Sequence, residues 1–238
     1  MTSVPASHAC RSIDAAARRP YKARMYKLHA FCQSGNCYKA ALTLDLLGQP
    51  WEPVFVDYLH GATRAPEWRE GVNEMGEAPV LEDGPLRLTQ SGVILTHLAA
   101  KHGRFGGADE AQRREGLRWL LFDNHKFTSY YATYRWLYAL NEAPPEPAVM
   151  AFLRGRFEGA FAIVDKHLQG SAFIVGDAPT IADFSMVGYL FFPVEETGYD
   201  VRAQHPAIAR WLDRIQAMPG WRDPYECLPG ERIYPRKR

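Results

Sequence analysis

The sequence of 238 residues is poor in cysteine, in long apolar runs and in net charge. Its four Cys residues are too few for a disulfide framework over this length, which favours a reducing, cytoplasmic setting. No apolar run approaches the roughly 20 residues that cross a bilayer, so we expect no membrane partner. A formal net charge of +1 gives no sign of a nucleic-acid partner. The His residues are scattered, and we expect no metal site.

Length and composition fit a globular protein of one large domain or two smaller ones. Hydrophobic residues make up 47% of the chain and charged residues 23%, which are ordinary fractions for a folded chain. Residues 1–24 differ, because they show little hydrophobic patterning and lack the apolar core of a secretory signal. We therefore expect a disordered extension over residues 1–24, or a start codon placed too early, because Met25 directly precedes the first patterned segment. The basic, acid-poor composition of residues 1–24 also fits a transit peptide.

Residues 76–95 carry the strongest local signals in the chain. Two short apolar runs flank Asp83-Gly84, a dipeptide that favours a tight hairpin turn. Pro79 opens the first run, where a missing backbone N–H is tolerated. A helical run then begins after Ser91 and ends at Gly103. A helix that begins beside a strand end offers free N–H groups and a positive dipole end, which together can bind a carboxylate.

The rest of the chain divides into an α/β part and a helical part. Hydrophobic patterning predicts the order β-α-β-α-β-β-α from Tyr26 to about His102, with Pro53 favouring a sheet edge for the second strand. A glycine-containing stretch after Gly103 is typical of a linker. We expect one domain over residues 25–104 and an all-helical domain over residues 111–229. Within the latter, Thr180-Ile181-Ala182-Asp183 predicts a capping box.

The segments 78–84 and 88–91, Ala-Pro-Val-Leu-Glu-Asp-Gly and Leu-Thr-Gln-Ser, resemble the glutathione-binding segment of cytosolic glutathione transferases. The resemblance extends over about residues 25–227. It implies a thioredoxin-like α/β N-terminal domain and an all-α C-terminal domain, with a cis Ala78–Pro79 bond. It also implies a homodimer that acts in detoxification with glutathione as co-substrate.

Ser34 lies between the first strand and the first helix, where a serine commonly caps the helix. The resemblance to the serine-type classes (theta, zeta and related bacterial forms) places Ser34 on the catalytic serine, followed by Asn36. Either side chain could donate a hydrogen bond to the glutathione thiolate. Cys37 fits core packing on the helical pattern. Cys32 fits either a packed thiol or one that forms a mixed disulfide with glutathione.

The resemblance also implies how glutathione is held. A basic residue is frequent just before the Val-Pro pair of the family, but Glu77 stands there, so Arg64 or His60 would have to bind the glycyl carboxylate. The Ala78 backbone would pair with the cysteinyl part. The implied glutathione-binding residues are Thr63, Ala78, Pro79, Gln90 and Ser91.

The first long helix of the second domain carries an aromatic stripe of Phe127, Tyr130, Tyr131 and Tyr134. Such a stripe fits core packing, and the resemblance equally allows it to line the site of the second substrate. Arg135 beside it fits a solvated charge. The implied function is a glutathione transferase in which the thiolate attacks a small hydrophobic electrophile. A glutathione-dependent isomerase, a disulfide reductase and a non-catalytic binding or scaffold protein share these motifs.

Overall fold

The computed structural model describes residues 25–235, and the predicted extension over residues 1–24 lies outside them. The first part of the chain forms a four-stranded sheet in the order β2-β1-β3-β4, with β1 and β2 parallel and the other two pairs antiparallel. Its elements are β1 (Tyr26–Ala30), α1 (Gly35–Leu46), β2 (Trp51–Phe55), α2 (Pro66–Gly71), β3 (Val80–Asp83), β4 (Leu86–Thr89) and α3 (Ser91–His102). The predicted element order is confirmed.

Two features of this sheet follow from proline. Pro53 on β2 lies opposite Leu28 on β1. Because β2 is an edge strand, as predicted, the missing N–H of the proline costs no ladder hydrogen bond on the open side of the strand. The Ala78–Pro79 bond is cis, which confirms the expectation from the resemblance. The turn between β3 and β4 contains Gly84 at a φ of 64°, a left-handed conformation that glycine adopts freely.

The second part of the chain is helical, as predicted, and begins with one long rod over residues 110–140. Two π-helical turns, Asp123–Phe127 and Trp136–Leu140, interrupt this rod. Such turns shift the helical register locally and occur often at functional sites. The α-helices are α4 (Glu110–Phe122), α5 (Thr128–Arg135), α6 (Pro147–Leu168), α7 (Ile181–Met186), α8 (Val201–Gln204), α9 (Pro206–Gln216) and α10 (Pro224–Cys227).

The two parts are joined by a buried ion pair. Lys39 Nζ on α1 lies 2.7 Å from Asp123 Oδ2 on the rod, and both side chains are fully buried. Thr128 Oγ1 accepts a second hydrogen bond from Lys39 at 3.2 Å, and Ser185 on α7 donates to Asp123 at 2.6 Å. The carboxylate and the ammonium therefore have partners that replace the water they lose.

The capping box predicted at Thr180 and Asp183 is present at the start of α7. Asp183 is fully buried and accepts hydrogen bonds from the backbone N–H and the hydroxyl of Thr180 at 2.8 and 3.1 Å. It also accepts from the N–H of Ile174 and from Trp211 Nε1 on α9, both at 2.8 Å. One carboxylate thus joins a loop and two helices.

Replacement of this carboxylate is expected to destabilise the fold strongly. Asp183→Ala leaves several buried donors without a partner, and we expect it to lower the free energy of unfolding by about 3–5 kcal/mol. Urea denaturation followed by circular dichroism measures the loss. Asp177→Ala, at an exposed position in the preceding loop, is the matched control and should change stability by less than about 0.5 kcal/mol. Equal stability of the two variants would contradict the assigned role.

Candidate active site

A cleft of about 370 Å³ lies between the α/β part and the helical rod. The loop between β1 and α1 forms one wall, and the end of the rod forms the other. The lining residues from the first part are Phe31, Gln33, Ser34, Asn36, Tyr58, Leu59, Arg64, Glu77 and Ala78, and those from the second are Ala132, Thr133, Arg135, Trp136, Leu140 and Tyr189. Ser34, Asn36 and Ala78, predicted from the sequence, are thus brought together.

Ser34 occupies the N-cap of α1 and also faces the cleft. Its Oγ accepts a hydrogen bond from the backbone N–H of Cys37 at 3.1 Å, which is the capping interaction expected of a serine here. A hydroxyl that accepts in this way keeps its own O–H to donate. The capping role and a donor role toward a ligand are therefore compatible in one side chain.

The cysteines near this loop are buried. Cys37 is fully buried, and desolvation raises the pKa of its thiol to about 12. The Cys32 thiol is 1% exposed, and burial raises its pKa to about 11. Neither thiol lines the cleft. A thiol with a raised pKa is a poor nucleophile, so the packed alternative fits both residues.

Arg135 is buried at the edge of the cleft, which corrects the expectation of a solvated charge. The residue is 1% exposed, and Nη1 donates to the backbone carbonyl of Gln33 at 2.7 Å. Nε donates to Glu196 at 2.9 Å, and the guanidinium lies 3.8 Å from the ring centre of Phe192. The helical pattern around Arg135 does not predict these partners, because Glu196 and Phe192 lie far from it in the sequence.

Tyr189 is a cleft residue that the sequence did not reveal. Its ring packs against Gly35, so closely that a Cβ at position 35 would lie 2.4 Å from the ring. Burial raises the pKa of the phenol to about 12, while the Arg135 cation, the Asn36 N–H and the Ser34 hydroxyl act in the opposite direction. The phenol therefore stays protonated at neutral pH beside the N-terminus of α1.

The predicted glutathione-binding residues outside the first loop lie around the hairpin. Ala78 lines the cleft, while Gln90 is exposed and its Nε2 donates to Glu77 Oε2 at 2.8 Å. Ser91 and Thr63 are buried, at 6% and 2% exposure. Pro79 is also buried, and these last four predicted residues (Thr63, Pro79, Gln90 and Ser91) are not among those that line the cleft.

Arg64 and His60 are the two residues expected from the sequence to bind the glycyl carboxylate in place of a basic residue at Glu77. Arg64 lines the cleft, as does Glu77 itself. His60 points elsewhere, since its Nδ1 lies 2.7 Å from Asp57 Oδ1 and its side chain is 84% exposed. Arg64 is therefore the better placed of the two to bind an anion in the cleft.

The aromatic stripe of the rod faces the helical core and not the cleft, so the structure places Phe127, Tyr130, Tyr131 and Tyr134 away from the expected second-substrate site. Phe127, Tyr131 and Tyr134 are at most 6% exposed. Tyr131 and Tyr134 pack on Phe157 of α6 at 5.1 and 5.0 Å between ring centres. Tyr130 contacts Arg156 of α6. The neighbouring face of the rod lines the cleft instead. On that face Ala132, Trp136 and Leu140 recur every fourth residue.

Residues 25–235 are the range that the structure describes. Within that range, no group of three or more His, Cys, Asp or Glu side chains is arranged to hold a metal ion. No helix in the same range is both long and apolar enough to cross a membrane.

Comparisons with known proteins agree with this geometry. The N-terminal domain of glutathione S-transferase matches residues 28–108, and the C-terminal domain of glutathione S-transferase matches residues 131–214. The chain is 30% identical over 209 residues to glutathione S-transferase theta-2 of Mus musculus, covering 75% of this chain and 81% of that protein. It is 26% identical over 206 residues to glutathione S-transferase F14 of Arabidopsis thaliana, covering 82% and 80%.

Solved structures give the same result. A glutathione S-transferase from Pseudomonas fluorescens superposes with a TM-score of 0.77 at 31% identity, covering 84% of this chain and 99% of that one. URE2P8 from Phanerochaete chrysosporium, solved with oxidized glutathione, shares the fold at a TM-score of 0.76 and 21% identity, covering 85% and 94%. The chain therefore belongs to the cytosolic glutathione transferase family.

Proposed function

We propose that this protein is a glutathione transferase that binds the tripeptide in the cleft and activates its thiol for attack on a small hydrophobic electrophile. The observation that carries the proposal is the Ser34 hydroxyl, which faces the cleft at the N-terminus of α1 with Arg135 nearby. A role in detoxification in a reducing, cytoplasmic setting is part of this proposal, and the three described cysteines, which are free, agree with such a setting.

The chemistry requires a thiolate at neutral pH. A free thiol has a pKa of about 8.5, so lowering it by two units requires about 2.7 kcal/mol of preferential stabilisation of the anion. The Ser34 O–H can donate to the sulfur, with the Asn36 side chain as a second donor beside it. The positive end of α1 and the Arg135 guanidinium favour the anion further.

The remaining glutathione groups have partners around the cleft. The Ala78 backbone would pair with the cysteinyl part by strand addition, next to the cis Pro79 bond. Ser91, the first residue of α3, would bind the γ-glutamyl carboxylate with the free N–H groups of that helix, and Gln90 would contact the polar head. At the glycyl end, Thr63 and Arg64 would bind the carboxylate, since Arg64 lines the cleft.

The second substrate would contact the rod. Ala132, Trp136 and Leu140 present a largely apolar surface to the cleft, opposite the Ser34 loop. An apolar electrophile of modest size would bury its surface there while its reactive atom faces the sulfur. This apolar wall lies on the face of the rod next to the aromatic stripe, which was the site expected from the sequence for the second substrate.

Removal of the Ser34 hydroxyl tests the mechanism. We expect Ser34→Ala to lower kcat/KM for a chlorodinitrobenzene-type acceptor by about 10- to 100-fold, because a hydrogen bond to a charged group contributes about 1.5–3 kcal/mol. The Kd for glutathione, measured by calorimetry, should change little. Ser129→Ala, which removes a hydroxyl bonded to the His125 carbonyl outside the cleft, should leave both constants unchanged.

The outcomes of this experiment separate the alternatives. Full activity of Ser34→Ala would move the donor role to Asn36. Faster turnover of a hydroxyethyl disulfide by the unchanged protein would favour a disulfide reductase, and turnover of a maleylacetoacetate-like substrate would favour an isomerase. Glutathione binding without turnover of any acceptor would indicate a binding or scaffold protein.

A larger side chain on the rod tests the second-substrate wall. Ala132→Phe should raise the KM for the electrophile by about tenfold, because it fills cleft volume, and should leave the Kd for glutathione nearly unchanged. Tyr134→Phe is the matched control, since its ring packs in the helical core. Steady-state kinetics with varied electrophile gives both values. A raised KM in Tyr134→Phe alone would instead support the aromatic stripe.

A homodimer is the assembly that we propose. Val93 on α3 and Leu117 and Leu121 on α4 are 52%, 55% and 62% exposed. The start of α3 lies near the end of α4, since a Cβ at Gly92 would lie 3.6 Å from Nδ2 of Asn124 in the π-helical turn that follows α4. Exposed apolar side chains grouped in this way favour burial in a subunit interface.

The interface is tested by introducing a charge into it. Leu121→Glu should shift the sedimentation coefficient from that of a dimer to that of a monomer at micromolar concentration, because a carboxylate would be buried without a partner. Phe152→Glu, at a 60% exposed apolar position on α6, should leave the dimer intact. A monomeric unchanged protein would exclude the proposed assembly.

A further inference from the structure

The C-terminal segment, residues 228–235, folds back onto the loop that carries Ser34. Leu228 is 5% exposed, and Gly230 follows at a φ of 105°. A Cβ at Gly230 would lie 2.7 Å from the ring of Phe55 and 3.7 Å from the sulfur of Cys32. The segment therefore packs directly against the loop between β1 and α1, and only glycine fits at the point of contact.

Gln33, the residue before Ser34, is held at both of its polar ends. Its side-chain Nε2 donates to the backbone carbonyl of Glu231 at 2.6 Å. Its own carbonyl accepts from Arg135 Nη1 at 2.7 Å. The Cys32 thiol makes a further contact with the Glu231 carbonyl at 3.4 Å. The loop is thus fixed from one side by the C-terminal segment and from the other by the rod.

The same segment also reaches the buried charge beside the cleft. Arg232 Nη2 lies 3.2 Å from Glu196 Oε1 and 2.9 Å from Glu195 Oε1. Glu196 is fully buried and pairs with Arg135 at 2.5 Å through its other oxygen, while Tyr225 donates to Oε1 at 2.8 Å. Two guanidinium groups therefore share one buried carboxylate. Glu196 then neutralises the positive charge of Arg135 only in part, and the remainder can stabilise an anion in the cleft.

We propose that Arg232 is a positioning residue for the Ser34 site, acting through Glu196 and Arg135 on the carbonyl of Gln33. The proposal rests on the proposed function, because the group that is positioned is the donor to the glutathione thiol. Arg135, Arg232, Glu195 and Glu196 balance in formal charge, and loss of Arg232 would leave this cluster with a net negative charge beside the cleft. The loop geometry and the pKa of the bound thiol would then both depend on a side chain near the C-terminus.

The test compares Arg232→Gln with Arg232→Lys, which keeps the charge, and with Arg210→Gln, which removes an exposed arginine on α9. We expect Arg232→Gln to raise the pKa of glutathione bound to the protein by about half a unit or more, read from the pH dependence of thiolate absorbance. Arg232→Lys should recover most of this shift, and Arg210→Gln should show none. Circular dichroism verifies that each variant folds.

A second readout needs no glutathione. Cys32 is 1% exposed beneath the C-terminal segment, so its labelling by a thiol reagent, assigned by mass spectrometry, reports how firmly the loop is held. Labelling should accelerate about fivefold or more in Arg232→Gln and in Gln33→Leu, because each loosens the loop. Arg210→Gln should label at the unchanged rate.

The two proposals fail in distinguishable ways. If the unchanged protein does not bind glutathione, the proposed function fails and the positioning role at the thiol fails with it. Alternatively, the unchanged protein conjugates glutathione, but Arg232→Gln alters neither the pKa of the bound glutathione thiol nor the rate of Cys32 labelling. That result would overturn the positioning role alone. A loss of activity in Arg232→Gln that Arg232→Lys does not recover would also contradict it.

Discussion

The ion pair between Lys39 and Asp123 fixes how the two parts of this protein meet. Both side chains are fully buried, and the pair joins α1 to the start of the first π-helical turn of the rod. Removing one partner of such a pair leaves a buried charge and typically costs 3–5 kcal/mol, on the order of a third of a domain's stability. Because Ser34 caps the same helix that carries Lys39, the geometry of the cleft depends on this contact.

Within that frame the two parts supply different chemistry. The α/β part contributes groups at fixed backbone positions: the hydroxyl at the N-cap of α1, the free N–H groups of α3 and the edge formed by Ala78. The helical part contributes a buried cation and an apolar wall. A cation held by Glu196 and by the Gln33 carbonyl cannot reorient freely, so its field on the cleft is largely preorganised.

The sequence predicted features whose signals are local. The hairpin at Asp83-Gly84, the edge position of Pro53 and the capping box at Asp183 each depend on a few neighbouring residues, and each prediction is confirmed. The direction of the aromatic stripe was not predictable, because periodicity shows that side chains share a face but not what that face meets. The hydrogen-bond partners of Arg135 come from residues 61 to 102 positions away, and no local pattern encodes them.

The contact between Gly35 and Tyr189 links two distant positions of the chain. A methyl group at position 35 would overlap the tyrosine ring, which also lines the cleft, so a side chain at position 35 would have to displace this ring. A side chain at position 35 should therefore be tolerated only together with a smaller residue at position 189. Among relatives that keep this packing, the residues equivalent to Gly35 and Tyr189 should co-vary.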